Sequence, residues 1–274
     1  FYYNSSTGQF KNINDGGAPI GSWASGGNLN TARYGSGGGG GTTSAIVGGG
    51  NTSGGAPGYV TNSESYDGSS WSEVSEINTA RGFLASGTQT PATAALIFGG
   101  ATPPYVNSAL TETWNGSSWT ETGDLNTARS YLAGAGSSYT AAIAATGTPG
   151  PTTVTELFNG SSWTEIAEVN TARPEGGSGT GTSTAAFVIG GTNPPGGRHA
   201  LVEEWDGSSW TETTDINTAR GYMSSAGSVT DSIIGGGNAI QPVGYYQALT
   251  EGWNGTTWTE VSDMATARYG GNTG

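Results

Sequence analysis

The stretch "WNGSSWTETGDLNTAR", residues 114–129, decides the fold because close copies of it recur along the chain. Full copies read "SYDGSSWSEVSEINTAR" (65–81), "LFNGSSWTEIAEVNTAR" (157–173), "EWDGSSWTETTDINTAR" (204–220) and "GWNGTTWTEVSDMATAR" (252–268). A degraded copy, "GSWASGGNLNTAR", occupies residues 21–33. Every copy places its tryptophan ten positions before its arginine, and successive arginines lie 44 to 48 residues apart. A period in the forties with glycine punctuation is typical of β-propellers rather than helical solenoids.

The repeat positions organise the whole chain, 1–274, into a single domain. The tryptophans are Trp23, Trp71, Trp119, Trp163, Trp210 and Trp258. The arginines are Arg33, Arg81, Arg129, Arg173, Arg220 and Arg268. We predict repeat units at about 33–80, 81–128, 129–172, 173–219 and 220–267.

Composition excludes several classes of protein. The 50 glycines follow no G-X-Y period, which excludes collagen, and nine tryptophans argue against a disordered Gly/Ser polymer. The chain has no cysteine, so disulfides and thiolate metal sites are excluded. A net charge of −13 argues against nucleic acid as a partner, and no apolar run has membrane-spanning length, so we expect no membrane insertion. The start at Phe1 indicates a processed or truncated N-terminus, so a signal peptide cannot be judged.

Each unit contains four strand candidates. A small-residue run such as "SYLAGAG" (130–136) is followed by an apolar run ending in glycine, such as "AALIFGG" (94–100). A Glu-x-aromatic segment such as "ALTETW" (109–114) then leads through an Asn-Gly or Asp-Gly turn into "SSWTE". Four antiparallel strands per repeat form one propeller blade. We therefore predict an all-β propeller whose small first strands crowd around the central axis.

The two termini contain complementary parts of one further repeat unit. Residues 1–32 include a fourth-strand tryptophan, and 268–274 begin a first strand. A closing blade built from both ends would tie the termini together and remove exposed sheet edges. We expect six blades, with seven as the alternative.

The units resemble the kelch-repeat family of β-propellers. The resemblance covers nearly the whole chain and rests on three features besides the closing arginine. Glycine pairs end the second strand at Gly48-Gly49, Gly99-Gly100, Gly190-Gly191 and Gly235-Gly236. Aromatics occupy the third strand at Tyr66, Trp114, Phe158, Trp205 and Trp253, and the fourth strand carries the tryptophan. The third unit departs from this pattern, with "AIAATG" (142–147) where the pair belongs.

Residues that recur in every unit are interpreted as structural. Fifteen of the 21 acids occupy three repeat positions, one of them two residues before the third-strand aromatic. We expect each repeated arginine to pair with a carboxylate and with backbone carbonyls, within or between blades. The repeated tryptophans are interpreted as packing residues.

Binding residues are expected where the units differ, in the loops that follow the glycine pairs. The loop residues with side chains suited to a sugar or protein ligand are Tyr59, Tyr105, Arg198, His199, Tyr245 and Tyr246. With one histidine and no cysteine, we expect no metal site and no cofactor. The alternative is that these prolines and tyrosines merely stiffen turns and cover blade edges.

Catalysis is not expected, because nearly all the acids belong to the repeat and no serine triad is available. The segment "YYNSSTGQFKNI" resembles short hairpin segments of bacteriophage tail and virion structural proteins, and the "NGSSWTE" runs resemble kelch-type repeats of phage structural proteins, particularly marine ones. That resemblance implies a non-enzymatic, extracellular virion protein, present in symmetric copies and in contact with other virion proteins and a host glycan or protein. The first alternative is a secreted or cell-surface bacterial adhesin.

The second alternative is a glycan-active enzyme. It would require a carboxylate pair outside the repeat positions. The acids outside those positions, apart from the turn residues Asp67 and Asp206, are Asp15, Glu175, Glu204 and Asp231.

Overall fold

The computed structural model of the chain describes residues 2–4, 9–11, 23–52, 58–87, 90–149, 153–193, 195–240 and 246–268. Two short N-terminal strands, β1 (Tyr2–Asn4) and β2 (Gln9–Lys11), pair antiparallel. Within the described ranges no residue belongs to a helix, so none of them forms an apolar helix of membrane-spanning length.

Five four-stranded antiparallel sheets follow, each a propeller blade. Blade I contains β3 (Gly37–Gly40), β4 (Ala45–Gly48), β5 (Ser63–Tyr66) and β6 (Trp71–Val74). Blade II contains β7 (Ala85–Ser86), β8 (Leu96–Phe98), then a small hairpin of β9 (Ala101–Thr102) and β10 (Val106–Asn107), and β11 (Thr111–Trp114) and β12 (Trp119–Glu121). Blade III contains β13 (Ala133–Ser138), β14 (Ala141–Ala145), β15 (Thr155–Phe158) and β16 (Trp163–Glu165).

Blade IV contains β17 (Ser178–Gly181), β18 (Ala186–Ile189), a small hairpin of β19 (Thr192–Asn193) and β20 (Gly197–Arg198), and β21 (Val202–Trp205) and β22 (Trp210–Glu212). Blade V contains β23 (Ser224–Ser228), β24 (Asp231–Gly235), β25 (Thr250–Trp253) and β26 (Trp258–Val261). The predicted all-β propeller of four-stranded antiparallel blades is confirmed.

The first strands of the blades lie innermost, in the order β3, β7, β13, β17 and β23, and each contacts the next. Their small residues allow this approach. A Cβ added to Gly179 of β17 would lie 2.5 Å from the backbone oxygen of Gly134 in β13. Any larger residue would force the two blades apart.

The prediction of six blades, or of seven, was wrong. Residues 23–33, the degraded copy, contain no strand, because "GSWASGGNLNTAR" lacks the Asn-Gly or Asp-Gly turn that closes the outer hairpin elsewhere. The strands β1 and β2 form a two-stranded sheet of their own. Residues 1, 5–8, 12–22 and 269–274, which the predicted closing blade also uses, lie outside the described part of the chain.

The turn after each second strand uses two residues in the left-handed region. In blades II and IV these are the predicted pairs, but in blades I and V they are Gly49-Gly50 and Gly236-Gly237, one residue later than predicted. In blade III the irregular "ATG" supplies Thr146, at φ 60°, and Gly147, at φ 102°. A threonine therefore adopts a conformation that glycine adopts in the other blades.

Apolar side chains fill the space between successive blades. Between blades II and III, Leu96 and Phe98 pack against Phe158 and Trp163, and the ring centroids of Phe98 and Trp163 lie 4.8 Å apart. The fourth-strand tryptophans of blades II to V are 5 or 6% exposed. The indoles of Trp119, Trp163 and Trp210 also donate a hydrogen bond to the preceding unit; that of Trp163 goes to Thr111 Oγ1 of blade II at 3.0 Å. Each tryptophan is thus shared between two blades.

A buried ion pair joins each unit to the next. Arg81 follows the outer hairpin of blade I and lies 2.7 Å from the Glu112 carboxylate on the third strand of blade II. Arg81 also donates to the carbonyls of Gly99 and Leu110. Asn78, three residues earlier, donates its backbone and side-chain amides to the other carboxylate oxygen of Glu112 at 2.8 Å. We call this arrangement the Asn–Arg–Glu clamp.

The clamp occurs five times among the described residues. Its arginine and glutamate pairs are Arg33–Glu64, Arg81–Glu112, Arg129–Glu156, Arg173–Glu203 and Arg220–Glu251, at 2.6 to 3.1 Å with side chains at most 1% exposed. The last copy of the repeat differs, because it reads "ATAR" and ends in the exposed Arg268. Its Ala265 stands where the other copies have the clamp asparagine.

Replacing Arg129 by alanine should lower the free energy of unfolding by about 3–5 kcal/mol, because it strands the buried Glu156 carboxylate. The matched control is Arg268→Ala, which occupies the same repeat position but is exposed; it should change stability by about 0.5 kcal/mol or less. Denaturant unfolding of the two variants measures both values. Equal losses would show that the ion pair is not what makes the position costly.

Candidate functional site

One end of the propeller axis collects the residues that follow each repeat arginine. There they form isolated backbone bridges with the residues after the second strand: Tyr34 with Asn51, Gly82 with Ala101, Ser130 with Thr148, and Gly221 with Asn238. The variable loops begin at the same places. The start of each inner strand and the variable loops therefore share one face of the propeller.

At this face, one residue just before the first strand of each blade has a backbone in the left-handed region, and these five residues form a ring. The ring members are Gly35, Phe83, Tyr131, Gly176 and Tyr222, with φ between 56° and 68°. Neighbouring members are joined by backbone hydrogen bonds, such as Tyr131 N to Phe83 O at 3.1 Å and Tyr222 N to Gly176 O at 2.8 Å. The five positions are thus structurally equivalent.

Three of the five positions hold bulky aromatics where two hold glycine. A bulky residue in the left-handed region costs of order 1–3 kcal/mol, whereas glycine costs nothing there. The backbone therefore does not require Phe83, Tyr131 or Tyr222. Strain of this kind, held by a rigid surrounding, points to side chains retained for their contacts.

The ring aromatics join further aromatics from the inner strand and the loops. Phe83 stacks on Tyr131 with centroids 4.2 Å apart, and Tyr131 meets Tyr222 edge-on at 5.8 Å. Tyr34 and Tyr59 approach Phe83 at 5.8 and 5.9 Å. We call the group the aromatic mouth; its members are Tyr34, Tyr59, Phe83, Tyr105, Tyr131 and Tyr222.

The space between the ring residues is small. A cavity of about 70 Å³ is lined by the five ring members and the residue that follows each of them, including Leu84, Leu132 and Met223. Sites for drug-sized ligands occupy about 300–1,000 Å³. A ligand larger than a few atoms must therefore lie against the exposed faces and edges of the aromatic mouth rather than inside the axis.

Two charged residues contact the aromatic mouth. The hydroxyl of Tyr222 donates to the Glu175 carboxylate. The Arg198 guanidinium carbon lies 5.9 Å from the centroid of the same ring, within range of a cation–π interaction. Both residues come from the fourth unit, Glu175 just after its repeat arginine and Arg198 from β20. The mouth thus combines apolar ring surface with one acid and one base.

Burial keeps the tyrosine hydroxyls protonated. It raises the pKa of Tyr59 to about 12, with a smaller contribution from Tyr105. It also raises the pKa of Tyr131 and of Tyr222, and for Tyr222 the hydrogen bond to Glu175 adds to the rise. These groups remain neutral hydrogen-bonding hydroxyls at physiological pH, so they are poor general bases.

Three of the six loop residues predicted to bind meet at this mouth: Tyr59, Tyr105 and Arg198. Tyr246 is 50% exposed and bridges to Asn238 at the same face. His199 is half-buried; burial and Arg173 lower the pKa of its imidazole. Its main charged neighbours are thus those of a clamp rather than the mouth. Tyr245 lies outside the described residues.

Sequence reasoning missed Tyr34, Phe83, Tyr131 and Tyr222, and it named Glu175 only as a candidate acid of the enzyme alternative. A signal was available, because "ARY", "ARGF", "ARSY" and "ARGY" each place an aromatic one or two residues after the arginine. That position varies between units, unlike the rest of the repeated segment.

The acids outside the repeat positions do not share one place in the fold. Glu175 lies at the mouth, whereas Asp231 follows the turn at the far end of β23. Glu204 lies on β21 in a third-strand hairpin, and Asp15 falls outside the described part of the chain. Among the described residues no group of three His, Asp or Glu side chains could hold a metal ion.

Comparisons with known proteins extend to the fold alone. No family model matches the chain, and no curated protein sequence is significantly similar to it. The solved structure of YjhT superposes with a TM-score of 0.70, covering 89% of this chain and 88% of that chain at 12% sequence identity. The two chains share a propeller fold, and at this identity the likeness says nothing about the ligand.

The backbone strain at the ring predicts that a glycine variant is more stable than an alanine variant there, which is the reverse of the order expected in an ordinary strand. Tyr131→Gly should be about 1 kcal/mol more stable than Tyr131→Ala, because φ is 56° there. Both lose the same ring contacts. At the exposed strand residue Thr120, glycine should instead be about 0.5–1 kcal/mol less stable than alanine. Denaturant unfolding of the four variants checks both orders, and the same order at both positions would contradict the strain.

The raised pKa of Tyr59 predicts a loss of stability in alkali. An unfolded tyrosine ionises near pH 10 and the folded one near 12, so stability is fully present below about pH 10 and falls as the pH rises through 12. Tyr59→Phe cannot ionise and should show a shallower fall over this range. Unfolding measured from pH 8 to 12 gives both curves, and parallel curves would refute the assignment.

Proposed function

We propose that this protein is a non-enzymatic binding propeller that holds a host surface glycan at the aromatic mouth. The observation that carries the proposal is the ring of left-handed residues, in which Phe83, Tyr131 and Tyr222 stand at strained positions that glycine fills elsewhere. Side chains kept at such a cost on one exposed face are best explained by contact with a ligand.

The chemistry of the mouth suits a sugar. A pyranose ring presents C–H faces that pack on aromatic rings, and hydroxyls that exchange hydrogen bonds with polar tips. Tyr105 offers a ring that is 55% exposed. Glu175 supplies a carboxylate acceptor. The mixture of apolar faces and few polar groups is that of a specific small-molecule site.

Binding fits this site better than glycoside hydrolysis. Hydrolysis needs two carboxyl groups on either side of the scissile bond, about 5 to 9.5 Å apart. The mouth contacts the Glu175 carboxylate, while the third-strand glutamates are buried in their clamps. The pKa values of Tyr131 and Tyr222 are raised, so both hydroxyls are protonated at physiological pH and cannot accept a proton as general bases.

The kelch relationship and the phage resemblance complete the proposal. The repeated "NGSSWTE" hairpins and the glycine turns support kelch-like repeats, and the likeness of the repeat to phage structural proteins supports a place on a tail or capsid. Symmetric propellers on particles in electron micrographs of the native source would support this place. Propellers attached to cells without particles would favour the adhesin instead.

A glycan array probed with the purified protein tests the binding function. We expect a defined set of glycans to bind, and Tyr131→Gly to weaken their binding about tenfold or more, because it removes a stacking ring without adding backbone strain. A tenfold change corresponds to about 1.4 kcal/mol.

The control is Tyr139→Ala. Tyr139 is 45% exposed in the turn between β13 and β14, at the opposite end of the blade. It should bind as the unaltered protein does. An array without binding, or equal binding by Tyr131→Gly, would remove the proposed function.

A further inference from the structure

We propose that the ligand of the aromatic mouth is an acidic sugar whose carboxylate pairs with Arg198. This inference rests on the proposed glycan-binding function and names the class of glycan. It follows from the electrostatic state of one arginine.

Arg198 differs from the other arginines of the chain. The other six occupy the repeat position, and five of those have a glutamate within 2.6 to 3.1 Å. Arg198 contacts neutral acceptors instead: its Nε donates to Asn238 Oδ1 at 2.6 Å and its Nη1 to Gly197 O at 2.8 Å. No carboxylate of the described residues lies within 4.0 Å of its guanidinium. Its charge is therefore not neutralised by those residues.

The same contacts hold the guanidinium in a defined orientation. The hydrogen bonds of Nε and Nη1 fix two of its three nitrogens, and the group lies over the Tyr222 ring. In the described part of the chain Nη2 has no protein partner. The free Nη2 of a guanidinium held in this orientation can donate a charge-assisted hydrogen bond to a carboxylate.

The net charge of −13 does not oppose this pairing. Five glutamates are neutralised in the clamps. In blade IV the other two repeat acids, Glu212 and Asp215, lie on the fourth strand and just after it, and neither is within 4.0 Å of the Arg198 guanidinium. Salt screens exposed charges beyond about 8 Å at physiological ionic strength. The local field at Arg198 is therefore set by its near neighbours.

Glu175 adds selectivity rather than repulsion. It accepts the Tyr222 hydroxyl, while Arg198 lies over the ring of the same tyrosine. A sugar acid can place a hydroxyl near Glu175 and its carboxylate on Arg198, with its ring against the aromatics. A neutral sugar leaves Arg198 without an anion.

Calorimetry with matched probes tests the inference. The probes are oligogalacturonate and a glucuronate-containing oligosaccharide, each compared with its methyl ester, together with neutral glycans from the array. The proteins are the unaltered chain, Arg198→Gln and Arg198→Lys. We expect at least a tenfold preference for an acid over its ester, lost in Arg198→Gln and partly kept in Arg198→Lys. The ratio of acid to ester affinity, rather than either affinity alone, reports the charge pairing, because Arg198→Gln also loses contacts with Asn238 and Tyr222.

Each other result counts against the proposal in a distinguishable way. If acid and ester bind equally, or only neutral glycans bind, the acidic-sugar inference is overturned and the proposed function stands. If Arg198→Gln weakens acid and ester alike, Arg198 only supports Tyr222 and the loop around Asn238, and the inference falls. If no glycan of either kind binds, both the inference and the proposed function fall.

Discussion

The buried third-strand glutamate is the constraint on which the propeller depends. In each clamp one carboxylate oxygen faces the arginine, and the other accepts two amide hydrogen bonds from the asparagine of the preceding unit. Removing one partner of a buried ion pair costs about 3–5 kcal/mol, so the Asn-Thr-Ala-Arg and Glu-x-aromatic segments cannot vary independently. Because the clamp joins the end of one unit to the middle of the next, it also fixes how successive blades sit.

The first and last copies of the repeat depart from the pattern of the clamped units. Trp23 stands in a fourth-strand position without a sheet, yet its indole donates to Thr250 Oγ1 of blade V at 3.2 Å, as Trp163 does to Thr111. At the other end Arg268 is exposed and Ala265 replaces the clamp asparagine. An asparagine at position 265 would have no buried glutamate to bind in the described part of the chain, because Arg268 has none there either. The change from asparagine to alanine therefore coincides with the end of the clamp series.

The strands, their order and the four-stranded blade could be predicted because the same pattern recurs in five units. A segment whose secondary structure is ambiguous in one unit can be assigned from the equivalent segments of the others. The sequence did not predict the number of blades, since that depended on a degraded copy without a hairpin turn and on termini that have no internal counterpart. It named Tyr59, Tyr105 and Arg198, which lie at the aromatic mouth, because they stand in loops that vary between the units. It missed Tyr131 and Tyr222 because they directly follow the repeated segment, and their positive φ is a property of the ring that no propensity reveals.

Rigidity and strain are therefore connected. A backbone held by one clamp per blade can keep three aromatics in a conformation that costs each of them of order 1–3 kcal/mol, whereas a mobile loop would relax. At the two glycine positions of the ring, Gly35 and Gly176, an added Cβ would lie within 3.0 Å of the next ring member. The glycines thus make room for the aromatics beside them. The repeated residues make the backbone rigid. The residues that differ between units, at the ring and in the loops, are therefore held in a defined surface.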